Sequence, residues 1–244
     1  MDISLNKYIS DSGFCSRREA DKYIDDCRVT INGKDAIKGN RVLEGDEVRV
    51  DGEPVRKKKS SIYIAFNKPK GITCTTDQKD KTNIIDFINH KSRIFPIGRL
   101  DKLSDGLIFL TNDGDMVNKI LRVGNGHEKE YVVVVDKPIT TDFINQMRNG
   151  IFILGTKTNK CFVKQEGDKK FRIILTQGLN RQIRRMCETL DYKVTALTRV
   201  RIMNFTLSNI VLGKWRYFTS DEISSLNELL KNSKKSAGDD GMGE

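Results

Sequence analysis

The chain has 244 residues, of which 43 are Lys or Arg and 33 are Asp or Glu, so its net charge is +10. Hydrophobic residues make up 37% and charged residues 31%, a balance typical of a globular protein long enough for one large domain or two smaller ones. No apolar run approaches the ~20 residues that span a bilayer, and the first residues lack the basic-then-apolar order of a secretion signal. We therefore expect a cytoplasmic protein without a membrane partner.

Small residue counts argue against several kinds of chemistry. The chain has only two histidines, His90 and His127, which excludes a multi-histidine metal site. The cysteines form no C-x-x-C pair, which argues against a zinc ribbon or a disulfide framework, and no G-x-x-x-x-G-K-[ST] phosphate loop occurs. We therefore expect a reaction that uses neither a metal ion nor a cofactor. The five cysteines are Cys15, Cys27, Cys74, Cys161 and Cys187.

The first sixty residues predict two helices followed by short strands. Leu5 and Ile9 recur at helical spacing, and Gly13 can end this helix in a left-handed conformation. Ser16 and Glu19 have the spacing of a capping box, which predicts the start of the second helix. Strands are expected at 29–31, before an Asn-Gly turn, and at 47–50.

The basic run with two following serines at 56–61 predicts an extended linker, because like charges repel and no apolar residue anchors them. The apolar stretch 62–66 then opens a second region. We place a first domain with its linker at 1–60 and a second domain at 61–232. The tail at 233–244 is expected to be disordered, since it has nothing to bury.

The second region contains strands and helices without regular helical crossovers, which predicts an α+β fold with a mixed, mainly antiparallel sheet. The expected strands are 107–110, 131–135, 171–176, 200–207 and 215–218. The expected helices are 115–122, 142–149, 181–190 and 221–231, the last of which follows a capping box at 219–222.

The excess of positive charge lies in the second region. Up to residue 60 there are 13 Lys or Arg against 12 Asp or Glu, whereas the remainder has 30 against 21. A basic protein favours an acidic partner, and nucleic acid is the first candidate. The charge alone leaves open a solvated basic face without a partner.

Two groups of arginines are candidates for phosphate binding. Arg17 and Arg18 lie at a predicted helix start, where cations oppose the positive end of the helix dipole, so they either meet phosphates or are ordinary surface charge. Arg181, Arg184 and Arg185 are spaced to share one helix face with little acidic compensation. This spacing favours an anion opposite them, either phosphates or a buried carboxylate, over a solvated helix face.

A loop bounded by Gly98 and Gly106 leads into the strand expected at 107–110. Asp101 lies in this loop between Arg99 and Lys102. The two cations favour the ionised carboxylate, which suits a nucleophile or an electrostatic group. On these residues alone, a turn aspartate in a surface ion pair is the stronger interpretation.

Resemblance to a known family decides between these interpretations. The stretch Gly-Arg-Leu-Asp at 98–101, with Gly-Leu-Ile-Phe-Leu-Thr-Asn-Asp-Gly at 106–114, resembles the signature of the RsuA/RluB/RluF family of ribosomal RNA pseudouridine synthases. Further matches lie in the family's order at 67–71, 128–131 and 178–186. The N-terminal region resembles the alpha-L RNA-binding module that this family carries ahead of its catalytic domain. The stretches 15–21, 95–98 and 153–156 are most similar to the RluF branch, which modifies 23S rRNA.

The resemblance implies isomerisation of a uridine within an RNA chain, without a cofactor, by a protein that we expect to be a monomer. It implies that Asp101 is the catalytic nucleophile, that Tyr131 stacks on the extruded uracil and that Arg184 pairs with the carboxylate. We expect 23S rRNA as the partner. The expected RNA contacts are Arg99, Lys102, Arg181, Gln182, Ile183, Arg185, Arg17 and Arg18.

Two alternatives stay open at this point. The first is a non-catalytic protein that binds ribosomal RNA or assists ribosome assembly, since the N-terminal module and the charge fit that function equally well. The presence of Asp101, Tyr131 and Arg184 together argues against it. The second is the same reaction on 16S rRNA or on a tRNA.

Overall fold

The computed structural model describes residues 2–56 and 60–233 and contains seven α-helices and seventeen strands in these ranges. The helices are α1 Leu5–Ser12, α2 Arg17–Asp25, α3 Ile84–Ile88, α4 Gly114–Leu121, α5 Thr141–Asn149, α6 Gln182–Thr189 and α7 Ser220–Leu229. The strands are β1 Ile3–Ser4, β2 Val29–Ile31, β3 Lys34–Asp35, β4 Arg41–Val42, β5 Val48–Val50, β6 Glu53–Pro54, β7 Tyr63–Lys68, β8 Phe95–Ile97, β9 Asp105–Thr111, β10 Lys129–Val135, β11 Phe152–Ile153, β12 Thr156–Lys157, β13 Phe162–Gly167, β14 Lys170–Leu175, β15 Val194–Ile202, β16 Phe205–Thr206 and β17 Trp215–Tyr217.

Contacts divide the chain into two compact units. The N-terminal unit contains the chain up to Ile62 together with 91–93 and 112–114. In it, α1 and α2 share an apolar core with the sheet β3-β2-β5-β6. The predicted capping box is confirmed, because Glu19 N donates to Ser16 Oγ (3.2 Å) and Ser16 N donates to Glu19 Oε2 (2.7 Å). Gly13 ends α1 in the predicted left-handed conformation.

The larger unit is built on one nine-stranded sheet. Its strand order is β13-β14-β10-β15-β9-β7-β17, with β16 on β15 and β8 on β9. All pairs are antiparallel except β9 with β15, so the predicted α+β fold with a mixed, mainly antiparallel sheet is confirmed. One apolar core lies along β10, β14 and β15 with α5 and α6, and a second lies along β7 and β9 with α4 and α7.

The two antiparallel halves of this sheet meet along a short parallel seam. Only two residue pairs join β9 to β15, namely Asp105 with Thr198 and Gly106 with Arg199. Gly106 has φ +108°, and a Cβ atom there would lie 2.3 Å from the carbonyl oxygen of Arg199. Glycine is therefore required at this position, because no other residue lets the two strands come so close.

One predicted strand, at 200–207, is wrong. The strand β15 ends at Ile202, and Met203 adopts φ 52°, so that the chain reverses and Phe205 pairs back with Ile202. The helix predicted at 181–190 begins one residue later than expected, because Arg181 adopts a left-handed φ of 51°. A left-handed conformation of a residue other than glycine leaves little trace in a hydrophobic pattern.

Part of the linker expected at 56–61 and nearly all of the tail expected to be disordered at 233–244 lie outside the described residues. Within the described ranges, no helix combines the length and the apolar surface that crossing a bilayer requires.

Candidate active site

The central candidate, Asp101, lies in the loop between β8 and β9 in the larger unit. The amide of Ser104 donates to the Asp101 carbonyl oxygen (3.0 Å), which closes the loop into a tight turn. The Asp101 side chain is 34% exposed, so its carboxylate is accessible. It lines an open pocket together with residues of β10 and α6.

Tyr131 lines the same pocket from the other half of the sheet. It is the third residue of β10 and pairs with Arg199 of β15 next to a register irregularity between Glu130 and Tyr131. Its ring is partly buried against the core of α5 and α6. The irregularity and the packing hold an aromatic ring at the pocket wall.

Arg184 is the third wall of the pocket and comes from α6. Its Nε lies 3.4 Å from Oδ2 of Asp101, an ion pair that lacks hydrogen-bond geometry. Its Nη2 donates to Ser104 Oγ (3.1 Å) and to the Leu103 carbonyl oxygen (3.4 Å), and Nη1 donates to the Val194 carbonyl oxygen (3.4 Å). The guanidinium therefore contacts both the carboxylate and the loop that carries it.

The prediction that Arg181, Arg184 and Arg185 share one helix face is not met. Arg184 is buried at 8% exposure, whereas Arg181 precedes the helix and is exposed. Arg185 is bonded back to Asn180 through Nε and Nη2. The sequence left open whether phosphates or a carboxylate lie opposite these arginines. For Arg184 the anion is the carboxylate of Asp101.

The other residues expected to contact RNA fall into two groups. Arg99 and Arg181 line the pocket and are exposed, and Lys102 is exposed on the same loop as Asp101. Gln182 and Ile183 also line the pocket but are buried, and Gln182 Oε1 accepts a hydrogen bond from the amide of Leu179 (3.0 Å). For these two buried residues the geometry favours a role in shaping the pocket wall. Arg17 and Arg18 lie exposed at the start of α2, in the N-terminal unit.

Several residues around the pocket were not identified from the sequence. The ammonium of Lys68 is fully buried and donates to the carbonyl oxygens of Pro69 and Ile72 (2.9 Å each), and burial lowers its pKa. Arg199 is buried as well, and its Nε donates to the Leu107 carbonyl oxygen across the seam (2.6 Å). Burial and the neighbouring Arg199 lower the pKa of Lys129, two residues before Tyr131, to about 8. None of these three residues lines the pocket itself; they lie in the strands β7, β10 and β15 of the sheet that carries it.

The sequence alone does not indicate that these basic residues are buried. Both Lys68 and Arg199 are buried by strand pairing over a long separation in the sequence: Lys68 pairs with Gly106 of β9, and Arg199 bonds Leu107 of the same strand across 92 positions. In residues 2–56 and 60–233, no group of three or more His, Cys, Asp or Glu side chains is arranged to hold a metal ion.

Comparison with known proteins identifies the family to which the chain belongs. The family model for RNA pseudouridylate synthases matches residues 62–189, and the model for the S4 domain matches residues 4–48. The chain belongs to the RNA pseudouridylate synthase family. The matched region of this family includes Asp101, Tyr131 and Arg184.

Individual relatives agree with this assignment. The dual-specificity RNA pseudouridine synthase RluF of Escherichia coli (strain K12) is 58% identical over 233 residues, which cover 95% of this chain and 80% of RluF. Ribosomal large subunit pseudouridine synthase B of Bacillus subtilis is 32% identical over 94% of this chain and 98% of its own length. A crystal structure of a pseudouridylate synthase superposes with a TM-score of 0.68 at 27% identity, over 92% of this chain and 99% of that one.

The resemblance to the RsuA/RluB/RluF family is thus confirmed. The chain is an RNA pseudouridine synthase with an N-terminal S4 domain, and RNA is its substrate.

Proposed function

We propose that this pseudouridine synthase modifies uridine in 23S rRNA, with Asp101 as its nucleophile. The observation that supports this most is the convergence of Asp101, Tyr131 and Arg184 on one open pocket from a loop, a strand and a helix. A carboxylate, an aromatic ring and a guanidinium in that arrangement suit a flipped-out nucleotide better than they suit passive RNA binding.

The reaction is an isomerisation that balances without a co-reactant. The bond between N1 of uracil and C1′ of the ribose breaks, the uracil rotates, and a bond forms between C5 and C1′. C5 loses its proton and N1 gains one, so there is no net oxidation or group transfer. In our proposal the carboxylate of Asp101 attacks the nucleotide, and the bond that it forms is broken again by the time the product is released. The ring of Tyr131 stacks on the uracil in between.

Extrusion of the target base from an RNA stack costs a few kcal/mol, which contacts to the surrounding phosphates offset. Arg99 and Arg181 at the pocket and Lys102 beside it are exposed cations suited to these contacts. We further propose that residues 1–60 form an RNA-binding domain, that residues 61–232 form the catalytic domain, and that the protein acts as a monomer.

The choice of 23S rRNA draws on the Bacillus subtilis relative, whose name assigns it to the large ribosomal subunit. The name of the Escherichia coli relative contains the words dual-specificity, which favours a second RNA substrate as well. Reaction of the protein with unmodified 23S rRNA, 16S rRNA and tRNA, followed by chemical mapping of pseudouridine, measures both choices. Modification of 16S rRNA or tRNA without any in 23S rRNA would contradict the first one.

Replacement of the proposed nucleophile tests the mechanism. Asp101→Asn keeps the shape of the side chain and removes its charge, so we expect pseudouridine formation to stop while the Kd for RNA stays within a few-fold. Asp168→Asn, in the turn between β13 and β14, is the matched control and should react like the natural protein. Substantial turnover by Asp101→Asn would remove the residue from the proposed role.

A further inference from the structure

The backbone on both sides of Asp101 is held by one short segment, 71–74. Immediately before Asp101, the amide of Leu100 donates to Sγ of Cys74 (3.4 Å). Immediately after it, the carbonyl oxygen of Lys102 accepts from the amide of Gly71 (2.7 Å). The peptide that carries the carboxylate is therefore fixed at both flanks by the same piece of chain.

That segment is itself braced. The buried ammonium of Lys68 bonds the carbonyl oxygens of Pro69 and Ile72, which closes the turn at its start. At its end, Thr73 N donates to the Thr82 carbonyl oxygen (2.8 Å), and the Thr73 carbonyl oxygen accepts from the amide of Ile84 (2.9 Å). Cys74 therefore projects from a backbone that has little freedom to follow a moving partner.

The thiol of Cys74 is suited to accept a bond. Cys74 and Leu100 are each 7% exposed, so water has little access to replace the sulfur as the partner of the Leu100 amide. Burial raises the pKa of the Cys74 thiol, and the side chain is thus neutral at physiological pH. A buried amide without an acceptor is costly, and a displaced loop is the way to relieve that cost.

We propose that Cys74 is a positioning residue for the reaction: its sulfur fixes the Leu100 amide and thereby aims the carboxylate of Asp101. This inference rests on the proposed role of Asp101. A nucleophile displaced by about 1 Å can lose about a hundredfold in rate, so a partial displacement should be visible in kcat.

The test compares three cysteine variants. Cys74→Ala removes the acceptor, and we expect kcat to fall about tenfold while the Kd for RNA stays within about twofold. Cys74→Ser retains an acceptor with a shorter reach and should recover part of the lost rate. Cys161→Ala also deletes a thiol that bonds a backbone carbonyl, that of Met147 (3.3 Å), but it lies outside the pocket and should keep the natural kcat.

Hydrogen exchange gives a readout that needs no turnover. In Cys74→Ser and Cys74→Ala, amides in 98–104 should exchange faster than in the natural protein, while those of α6 should not change. A natural kcat for Cys74→Ala, or unchanged exchange in 98–104, would overturn the inference. Equal loss of RNA binding and kcat in both variants would overturn it too. If the natural protein made no pseudouridine, the proposed function would fail, whereas the exchange data would still report on the loop.

Discussion

Arg184 shows how one side chain can organise a site. Its guanidinium faces the Asp101 carboxylate through Nε and bonds Ser104, Leu103 and Val194 through its two Nη atoms. The planar group thus links a loop, a helix and the start of β15. An arginine offers five donors in fixed geometry, whereas a lysine offers a single charge on a flexible stem.

This difference predicts the effect of a conservative change. Arg184→Lys retains a positive charge near Asp101 but loses the bonds to the loop, so we expect kcat to fall about a hundredfold, as expected for a misplaced nucleophile. Arg184→Ala should lower it further. Steady-state kinetics with an unmodified substrate RNA checks both.

The matched control is Arg148→Lys in α5. Arg148 donates from Nε to the Val163 carbonyl oxygen (2.8 Å), so the change also removes an arginine-to-backbone bond. It lies away from the pocket, and kcat should be unaffected. If Arg184→Lys had the same kcat as the natural protein, the position of the Asp101 loop would not depend on these bonds.

At the scale of elements, β10 presents different chemistry on its two faces. Tyr131 lines the pocket, whereas Glu130, its neighbour, points to the other face of the sheet. There Glu130 accepts from Arg201 (2.5 Å) and from Arg172. Burial by itself raises the pKa of the Glu130 carboxyl, but these two arginines outweigh it and the pKa lies below its usual value.

The lowered pKa predicts a pH-dependent contribution to stability. It is present in full above the ordinary glutamate pKa of about 4.3 and is lost as the pH falls through the lower folded value. Glu130→Gln should therefore reduce the free energy of unfolding by about 1–3 kcal/mol at pH 7. The difference from the natural protein should shrink below about pH 4. Urea unfolding at several pH values measures it.

Glu228→Gln provides the comparison for that experiment. Glu228 lies 3.5 Å from Lys231 in a pair whose side chains are both largely exposed, and such pairs contribute little. Its substitution should leave the unfolding free energy nearly unchanged at every pH. A pH-independent effect of Glu130→Gln would mean that the ion pairs do not carry the stabilisation.

The sequence predicted those features that depend on near neighbours. The caps at Ser16 and Glu19 and the end of α1 at Gly13 are set within three or four residues, and they form as expected. The burial of Arg184 was missed, because helical spacing shows which residues share a face but not what lies opposite. The contact from Leu100 to Cys74 joins residues 26 positions apart, and no local pattern encodes it.

At the scale of the whole molecule, the net charge of +10 bears on how RNA is bound. Arg17 and Arg18 are exposed and form no ion pair with any residue that the structure describes. Arg28, in the same N-terminal unit, is instead paired with Asp51 through two bonds of 2.7 Å. The three arginines thus differ in whether their charge is already compensated.

The salt dependence of RNA binding should reveal that difference. Each phosphate contact adds about 0.7–0.9 to the slope of log Kd against log salt concentration, because bound cations are released. The double variant Arg17→Ala, Arg18→Ala should therefore lower the slope by about 1.4 to 1.8. Arg28→Ala should leave it unchanged. Equal slopes for the natural protein and the double variant would exclude these arginines from phosphate contact.

Gly106 at the seam between β9 and β15 limits which residues position 106 tolerates. Gly106 spaces β9 from β15 with a single hydrogen atom, and the loop of Asp101 precedes β9 while Tyr131 lies on the strand beside β15. Any side chain at position 106 pushes the two strands apart. Mutation at this position should therefore widen the separation between the strand that follows the Asp101 loop and the strand that pairs with Tyr131.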